Sequence, residues 1–241
     1  MTVFPHRASG WRGAWLLAAG IACSGGSHAQ SSCSSDGVSR PVALLERFIN
    51  ADCAACWSDP ATPAARRGTI ALDWVLPGKL GDDAPLAAVA LPGALQRLAA
   101  SGTPPPPGSA SHKTAVEGRG GRLRVAHGLP LSGYIGASME LRGLAPGAAA
   151  QPWTAWLALV ETLPAGTEGS PVARNLVRNL VQPLWDRRKL LSNKEQARFL
   201  ESRSMDIPAG TDTRRLRVVG WVQDAQGRLL TAAQSRCVPP R

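Results

Sequence analysis

The stretch that decides the fold is residues 42–57, VALLERFINADCAACW. It begins with an apolar run of strand length and then reaches Asn50-Ala51-Asp52, which predicts a turn. Asp52 is a good N-cap for a helix whose first turn carries Cys53 and Cys56. The stretch therefore predicts a buried strand, a turn, and a Cys-x-x-Cys pair at the start of a helix.

A Cys-x-x-Cys pair in this context is typical of redox proteins. The free N–H groups and the dipole at a helix N-terminus stabilise a thiolate, which is the attacking species in disulfide exchange. Cys53 is therefore the predicted nucleophile, and Cys56, one turn later, is the predicted resolving thiol. Asp52 places a negative charge beside Cys53, which opposes thiolate formation and indicates a mild reductant.

Glu46 completes the predicted catalytic set, because it lies on the preceding strand, seven residues before Cys53. In one interpretation it is a buried proton shuttle under the cysteine pair. In the other it is a half-exposed acid that pairs with Arg47. Trp57 leaves two interpretations open as well, a shield over the disulfide or an ordinary core residue.

The N-terminal segment predicts export. Arg7 and Arg12 precede a short apolar run, and Ser27-His28-Ala29 places small residues before a cut at Gln30. This order is typical of a secretory signal peptide over residues 1–29, and the apolar run is too short to span a membrane. Lipid anchoring at Cys23 is the alternative. We therefore expect a periplasmic or secreted protein with no transmembrane segment in its mature chain.

Four cysteines remain after this cut, and an even number in an exported chain allows disulfides. Cysteines in a Cys-x-x-Cys spacing usually pair with each other, which leaves Cys33 to pair with Cys237 as a structural bridge. A zinc site is the alternative for the Cys53–Cys56 pair. It needs further ligands, and neither His112 nor His127 has ligand spacing, so we expect no metal and no cofactor.

The chain of 241 residues carries a formal net charge of +10, of which two positive charges lie in the predicted signal peptide. The arginines are scattered, without a long basic block or a basic stripe interleaved with aromatic residues. This pattern does not favour nucleic-acid binding. It leaves two interpretations, a surface attracted to anionic envelope components and a surface that is simply well solvated.

Two domains are predicted after the signal peptide, over residues 30–112 and 113–241, on either side of a proline-rich loop at 103–111. The first contains a second strand at 69–75 and a helix at 91–100. The second is predicted to be an antiparallel β-sandwich, and the segment 172–184 fits a helix or a strand. The other predicted elements are strands at 122–126, 134–141, 153–161, 216–222 and 229–233, a turn at 224–227, and a short helix at 194–201.

Glu46-Arg-Phe-Ile-Asn-Ala-Asp-Cys53-Ala-Ala-Cys56 resembles the opening of a secreted, thioredoxin-related family, domain-of-unknown-function family 1223. Leu72-Asp73-Trp74 and Val219-Gly-Trp-Val-Gln-Asp224 look like two of its strands, and Cys237 matches its C-terminal cysteine. The resemblance implies an α/β plus all-β chain, with a short thioredoxin-like domain before the sandwich, and it favours a strand over 172–184. It also implies that Pro104 is a cis-proline facing the cysteine pair.

The sequence thus predicts an exported thiol–disulfide exchange protein. Its partners would be the thiols or disulfides of other envelope proteins. The alternative is a non-enzymatic binding or scaffold module of the cell envelope in which both disulfides are structural.

Overall fold

The computed structural model describes residues 33–143, 153–185 and 198–237, together with Met1. Cys23 and residues 2–29 of the predicted signal peptide lie outside the described residues. Within the described ranges, no helix is long and apolar enough to cross a membrane. Two disulfide bonds are present, Cys33–Cys237 and Cys53–Cys56, which confirms the predicted pairing.

Strands dominate the described residues, and the two α-helices are short. The helices are α1 (Ala54–Trp57) and α2 (Pro92–Ala100). The strands are β1 (Cys33–Ser34), β2 (Ala43–Asn50), β3 (Thr69–Leu76), β4 (Ser109–Ala115), β5 (Arg122–His127), β6 (Tyr134–Arg142), β7 (Trp153–Leu163), β8 (Arg174–Val181), β9 (Leu184–Trp185), β10 (Arg198–Asp206), β11 (Leu216–Gln223), β12 (Leu229–Gln234) and β13 (Arg236–Cys237). Short 3-10 helices cover Gly81–Asp83, Ala87–Val89 and Thr213–Arg215.

The strands form two sheets. The larger one is mixed and has the order β12-β11-β7-β8-β3-β2-β4, with β9 paired to β7. In it β2 and β3 run parallel, whereas β4 is antiparallel to β2. The smaller sheet has the order β10-β6-β5-β1-β13, and its pairs are antiparallel.

Three apolar clusters hold these layers together. The largest lies between the two sheets, because alternate residues of β5, β6, β7 and β11 point into the space that the sheets share. A second cluster, rich in aromatic residues, lies on the other face of the large sheet and includes Ala94 and Leu98 of α2. A third, smaller cluster joins Trp57 of α1 to Ile49 of β2 and Val75 of β3. The central strands β2 and β3 are therefore buried on both faces, as parallel strands usually are.

The prediction of a short thioredoxin-like α/β domain followed by an antiparallel β-sandwich is wrong, because the described residues are mostly strand and form one mixed and one antiparallel sheet. Pro60 and Pro63 follow α1 closely, and that helix has only four residues. Only α2 is then long enough to cover one face of β2 and β3. These strands instead extend the sheet of the second half through the β3–β8 contact, and β4 contains the predicted domain boundary at residue 112.

Most individual elements match the prediction within one or two residues, including β2, β3, α2 and the turn at 224–227. β8 confirms the strand interpretation of 172–184. The helix expected at 194–201 is wrong over its described part, because Arg198–Asp206 forms β10. β4 was expected to be loop over its first three residues, since its small and polar side chains do not form an apolar run.

The Cys33–Cys237 disulfide joins the two ends of the described chain. Cys33 lies directly opposite Cys237 in the β1–β13 pair and opposite His127 in the β1–β5 pair. Burial lowers the pKa of this histidine below its usual value. The two cysteines are 204 residues apart in sequence, so the bridge closes a very long loop.

Replacement of Cys33 and Cys237 by Ser is expected to lower the free energy of unfolding by about 5 kcal/mol, because the unfolded chain regains the conformational freedom that the bridge removes. Urea titration monitored by far-UV circular dichroism measures the loss. The double variant Cys53→Ser with Cys56→Ser is the matched control. Its two cysteines are only three positions apart in sequence, so removal of their bridge should lower the free energy of unfolding much less. Equal losses in the two double variants would contradict the argument.

Candidate functional site

The Cys53–Cys56 disulfide lies just beyond the carboxyl end of β2, at the start of α1. Both cysteines are partly exposed, and Ala54 and Ala55 between them are exposed. The next residue, Trp57, is buried in the third apolar cluster. The disulfide is therefore held at the surface by a buried anchor on one side and a buried strand on the other.

Cys53, not Asp52, is the N-cap of α1. The backbone N–H of Cys56 donates a hydrogen bond to Cys53 Sγ over 3.2 Å. The Asp52 carboxylate turns away and accepts hydrogen bonds from the backbone N–H groups of Lys79 and Leu80, at 2.8 and 3.3 Å. Gly78 makes this possible, because a Cβ there would lie 1.9 Å from the carboxylate. The predicted cap at Asp52 is therefore wrong, and these N–H groups partly balance its charge.

The proline-rich loop 103–108 packs against the disulfide. A Cβ on Gly108 would lie 3.1 Å from Cys56 Sγ and 3.8 Å from Cys53 Sγ, so only glycine fits here without displacement. The loop is tied to the end of β2, because the Asn50 backbone N–H donates to Gly108 O over 2.8 Å. The loop is thus part of the disulfide site.

Pro104 does not have the cis peptide bond that was predicted for it. Every peptide bond in the described residues is trans, including the one before Pro104. The loop residue beside the two sulfur atoms is Gly108, four positions later, where an added Cβ would lie within 4 Å of both. The prediction of a cis-proline at Pro104 is therefore wrong, although the loop that contains it does face the cysteine pair.

Arg174 holds Trp57 in place through its ring and its backbone carbonyl. The Arg174 guanidinium lies over the Trp57 ring, 4.4 Å from the ring centroid, and donates to Trp57 O over 2.6 Å. The Trp57 Nε1–H donates to Glu168 O over 2.8 Å. Trp57 is therefore a core residue, held by stacking and by hydrogen bonds at both its ring and its carbonyl.

A buried charge network continues from Arg174 into the large sheet. Asp73 on β3 accepts one hydrogen bond from Arg174 Nη1 over 2.8 Å and one from Arg47 Nη2 over 2.6 Å. It also accepts the backbone N–H of Asn175 over 2.8 Å. Burial lowers the pKa of Arg174, and the Asp73 charge opposes this change. The network joins β2, β3, β8 and, through Trp57, the disulfide helix.

Glu46 is not part of this arrangement. It pairs with Arg97 of α2, whose Nε and Nη2 donate to the two carboxylate oxygens over 2.8 and 2.6 Å. Glu46 shares a face of β2 with Leu44 and Phe48 in the aromatic-rich cluster, whereas Cys56 packs on the cluster at the other face. The structure thus gives it neither of the two predicted environments, a place under the cysteines or a pair with Arg47.

A groove runs along the same face of the large sheet as the disulfide. It is a cavity of about 680 Å³ between the 63–66 loop and the strands β2 and β4, and it is lined by Leu45, Ser111 and Lys113 among others. Ser111 and Lys113 lie directly opposite Arg47 and Leu45 on β2. Among the described strands, β4 forms the end of the large sheet, so one of its edges has no strand partner there.

The structure brings together Cys53 and Cys56, as predicted, and adds residues that sequence reasoning missed. Gly108 and Asn50 shape the surface around the sulfur atoms, and Arg174 with Asp73 supports α1 from inside. A signal for the network was present, because a charged residue inside an apolar strand must find a buried partner. No sequence signal pointed to Gly108 beyond its position at the end of a proline run.

Gly108→Val is expected to slow reduction of the Cys53–Cys56 disulfide by dithiothreitol several-fold, because the added side chain would crowd both sulfur atoms. Timed alkylation with mass spectrometry measures the rate. Gly136→Val is the matched control, since a Cβ at Gly136 meets no atom within 4 Å. A wild-type rate in Gly108→Val would contradict the placement of the loop.

Asp73→Asn is expected to lower the free energy of unfolding by about 3–5 kcal/mol, because two buried guanidinium groups lose their shared counter-charge. Asp36→Asn is the control, since the exposed Asp36–Arg124 pair contributes at most about 1 kcal/mol. Urea unfolding at neutral pH distinguishes the two. A loss no larger than that of the control would show that the network carries little stability.

Comparison with protein-family models finds no match, and comparison with curated proteins finds none either. Among solved structures, the chain is similar to HBP35 of Porphyromonas gingivalis. The TM-score is 0.49 with 11% sequence identity, over 83% of this chain and 76% of that one. A likeness this distant carries no argument about function, and the resemblance to family 1223 stays a prediction.

Proposed function

We propose that the protein is an exported thiol–disulfide exchange protein that acts on the disulfides or thiols of other envelope proteins. The observation that carries the proposal is a closely spaced disulfide, Cys53–Cys56, held at the surface between exposed Ala54-Ala55 and the Gly108 loop. A purely structural bridge would gain little here, because a loop this short restricts the unfolded chain only slightly.

The reaction needs only the two cysteines and a partner disulfide. In the reduced protein, the Cys53 thiolate attacks one sulfur of the partner disulfide, forms a mixed disulfide and releases the other partner sulfur as a thiolate, which takes up a proton. The Cys56 thiolate then attacks Cys53 Sγ, which restores the Cys53–Cys56 bond and releases the second partner thiol. Two electrons pass to the partner, and the reverse sequence oxidises a partner dithiol.

The roles of the two cysteines rest on the hydrogen bond at the N-cap. Cys53 Sγ accepts the Cys56 backbone N–H, and a donor aimed at sulfur favours the thiolate form. α1 has only four residues, so its macrodipole is small, and the local stabilisation comes from this N–H group, which Cys53 Sγ shares with Cys53 O. The Asp52 charge opposes the effect less than the sequence suggested, because two backbone N–H groups already bind that carboxylate.

The surface beside the disulfide suits an extended polypeptide. The β4 edge begins one residue after Gly108, so a partner strand added to this edge would bring its own cysteine towards the sulfur atoms. The groove lined by Ser111 and Lys113 would take the side chains on one face of that strand. Backbone hydrogen bonding of this kind fits partners of varied sequence.

An oxidising compartment agrees with this role. The two disulfides in the structure are the kind of bond that persists outside the reducing cytoplasm. A signal peptide over residues 1–29 would deliver the chain there.

Catalysis of insulin reduction by dithiothreitol tests the proposal. The wild-type protein is expected to accelerate the reaction, and Cys53→Ser is expected to abolish the acceleration because the attacking thiolate is lost. Cys56→Ser, first reduced and then freed of dithiothreitol, should accumulate a mixed disulfide with insulin, visible as an adduct in non-reducing mass spectrometry. Gly136→Val, on a strand of the smaller sheet, is the control that keeps wild-type activity, since a Cβ there meets no atom within 4 Å.

The proposal fails if the wild type is inactive, or if Cys53→Ser retains the wild-type rate. The Cys53–Cys56 bond would then be a structural clamp on α1, and the chain would be a non-enzymatic module of the envelope. An adduct that forms through Cys56 in the Cys53→Ser variant, but not through Cys53, would reverse the assigned roles.

A further inference from the structure

Arginines crowd one end of the smaller sheet, away from the disulfide site. A cavity of about 500 Å³ is lined by Arg40, Arg119, Arg122 and Arg142 together with three glycines. Among the residues that the structure describes, no acidic residue lines this cavity. The neighbouring depression adds Arg124 and two acids, Asp36 and Glu140.

The strand register forces several of these charges together. Arg122 on β5 lies directly opposite Arg142 on β6, and Arg142 lies directly opposite Arg198 on β10. Side chains at directly opposite positions are close neighbours on one face of a sheet, and like charges there repel. The sheet therefore holds a row of three guanidinium groups, in which Arg142 and Arg198 share the Glu140 carboxylate and Arg122 lies beside them.

The two acidic residues of the neighbouring depression already form ion pairs with arginines. Asp36 pairs with Arg124 over 2.8 Å, and that pairing lowers the pKa of Asp36. Glu140 binds both Arg142 and Arg198. In contrast, Arg40, Arg119 and Arg122 make no side-chain hydrogen bond or ion pair within the described ranges, and all three are exposed. Three guanidinium groups around one cavity thus have unused donors.

Guanidinium donors of this kind match phosphate. The planar fork of arginine binds two oxygens of a phosphate group at once, and a ligand with adjacent phosphates would engage several of these arginines together. A single carboxylate has only two oxygens, so it would satisfy fewer of these donors than a group with adjacent phosphates. The cavity is also large enough to admit such a group.

We propose that the cavity formed by Arg40, Arg119, Arg122 and Arg142 is a binding site for phosphate-bearing ligands. The ligand presents its phosphate oxygens to Arg119 and Arg122, while Arg40 and Arg142 flank the cavity. The phosphate belongs either to a lipid headgroup, which would hold the protein at a membrane surface, or to a soluble polyphosphate. The site is independent of the cysteine pair.

Two binding measurements with the purified protein test the site. Inorganic tripolyphosphate is titrated by calorimetry, and vesicles of phosphatidylglycerol are compared with vesicles of phosphatidylcholine by co-sedimentation. We expect binding to at least one of the anionic probes and none to phosphatidylcholine. Binding to phosphatidylglycerol vesicles alone assigns the lipid source, and binding to tripolyphosphate assigns a soluble one.

The variant R119Q/R122Q is expected to weaken that binding by at least about tenfold, since charge-assisted hydrogen bonds of roughly 1.4 kcal/mol or more are lost. Both side chains are exposed, and neither makes a hydrogen bond or ion pair with another described residue, so the fold is retained. R66Q/R67Q removes the same charge from exposed positions elsewhere and should bind like the wild type. The proposal is overturned if neither anionic probe binds, if R119Q/R122Q binds as the wild type does, or if both variants weaken equally.

Discussion

The rest of the structure depends on the buried ion pairs that the Asp73 carboxylate forms with two arginines. This carboxylate lies fully buried on β3 and is the shared partner of Arg47 from β2 and Arg174 from β8. The two halves of the large sheet meet at β3 and β8, whose register contains a single residue pair, Asp73 with Leu176. The ladder is weak there, so side-chain bonds to Arg174 and Asn175 complete the join.

The same network explains how an exposed disulfide can rest on a very short helix. Four residues are too few for a helix to be stable by itself. Arg174 supplies the missing support, because it stacks on the Trp57 ring and binds its carbonyl. The position of Cys53 and Cys56 therefore depends on a charge centre in the sheet, and a change in that centre would alter the geometry around the sulfur atoms.

Much of the fold was accessible from the sequence, because apolar runs such as those of β2, β3, β7 and β11 predict buried strands directly. The architecture was not accessible. It depends on whether β3 is covered by helices or paired with a strand about a hundred residues later, and no local pattern records that choice. β4 was missed in part because an edge strand needs few apolar residues. Asp52 was misassigned because a distant backbone segment offered its carboxylate better donors than the helix did.

The partners of the charged residues could not be predicted from local sequence either. Glu46 and Arg47 are adjacent in sequence, and their proximity suggested a pair, but successive strand residues point to opposite faces. Each therefore found its partner in a different layer, Arg97 for Glu46 and Asp73 for Arg47. The pairing of the cysteines was predictable, because the short spacing of one pair left a single choice for the other.

The Cys33–Cys237 bridge has a further consequence for how the chain acquires its structure. β1 lies inside the smaller sheet, between β5 and β13, yet β13 is contributed by residues near the other end of the chain. During synthesis from the N-terminus, Cys33 cannot pair with Cys237 until almost every other described strand and helix has been synthesised. Such late, non-local pairing slows folding and leaves a strand edge exposed to wrong partners. The smaller sheet is therefore the layer that can close only after β13 has been synthesised.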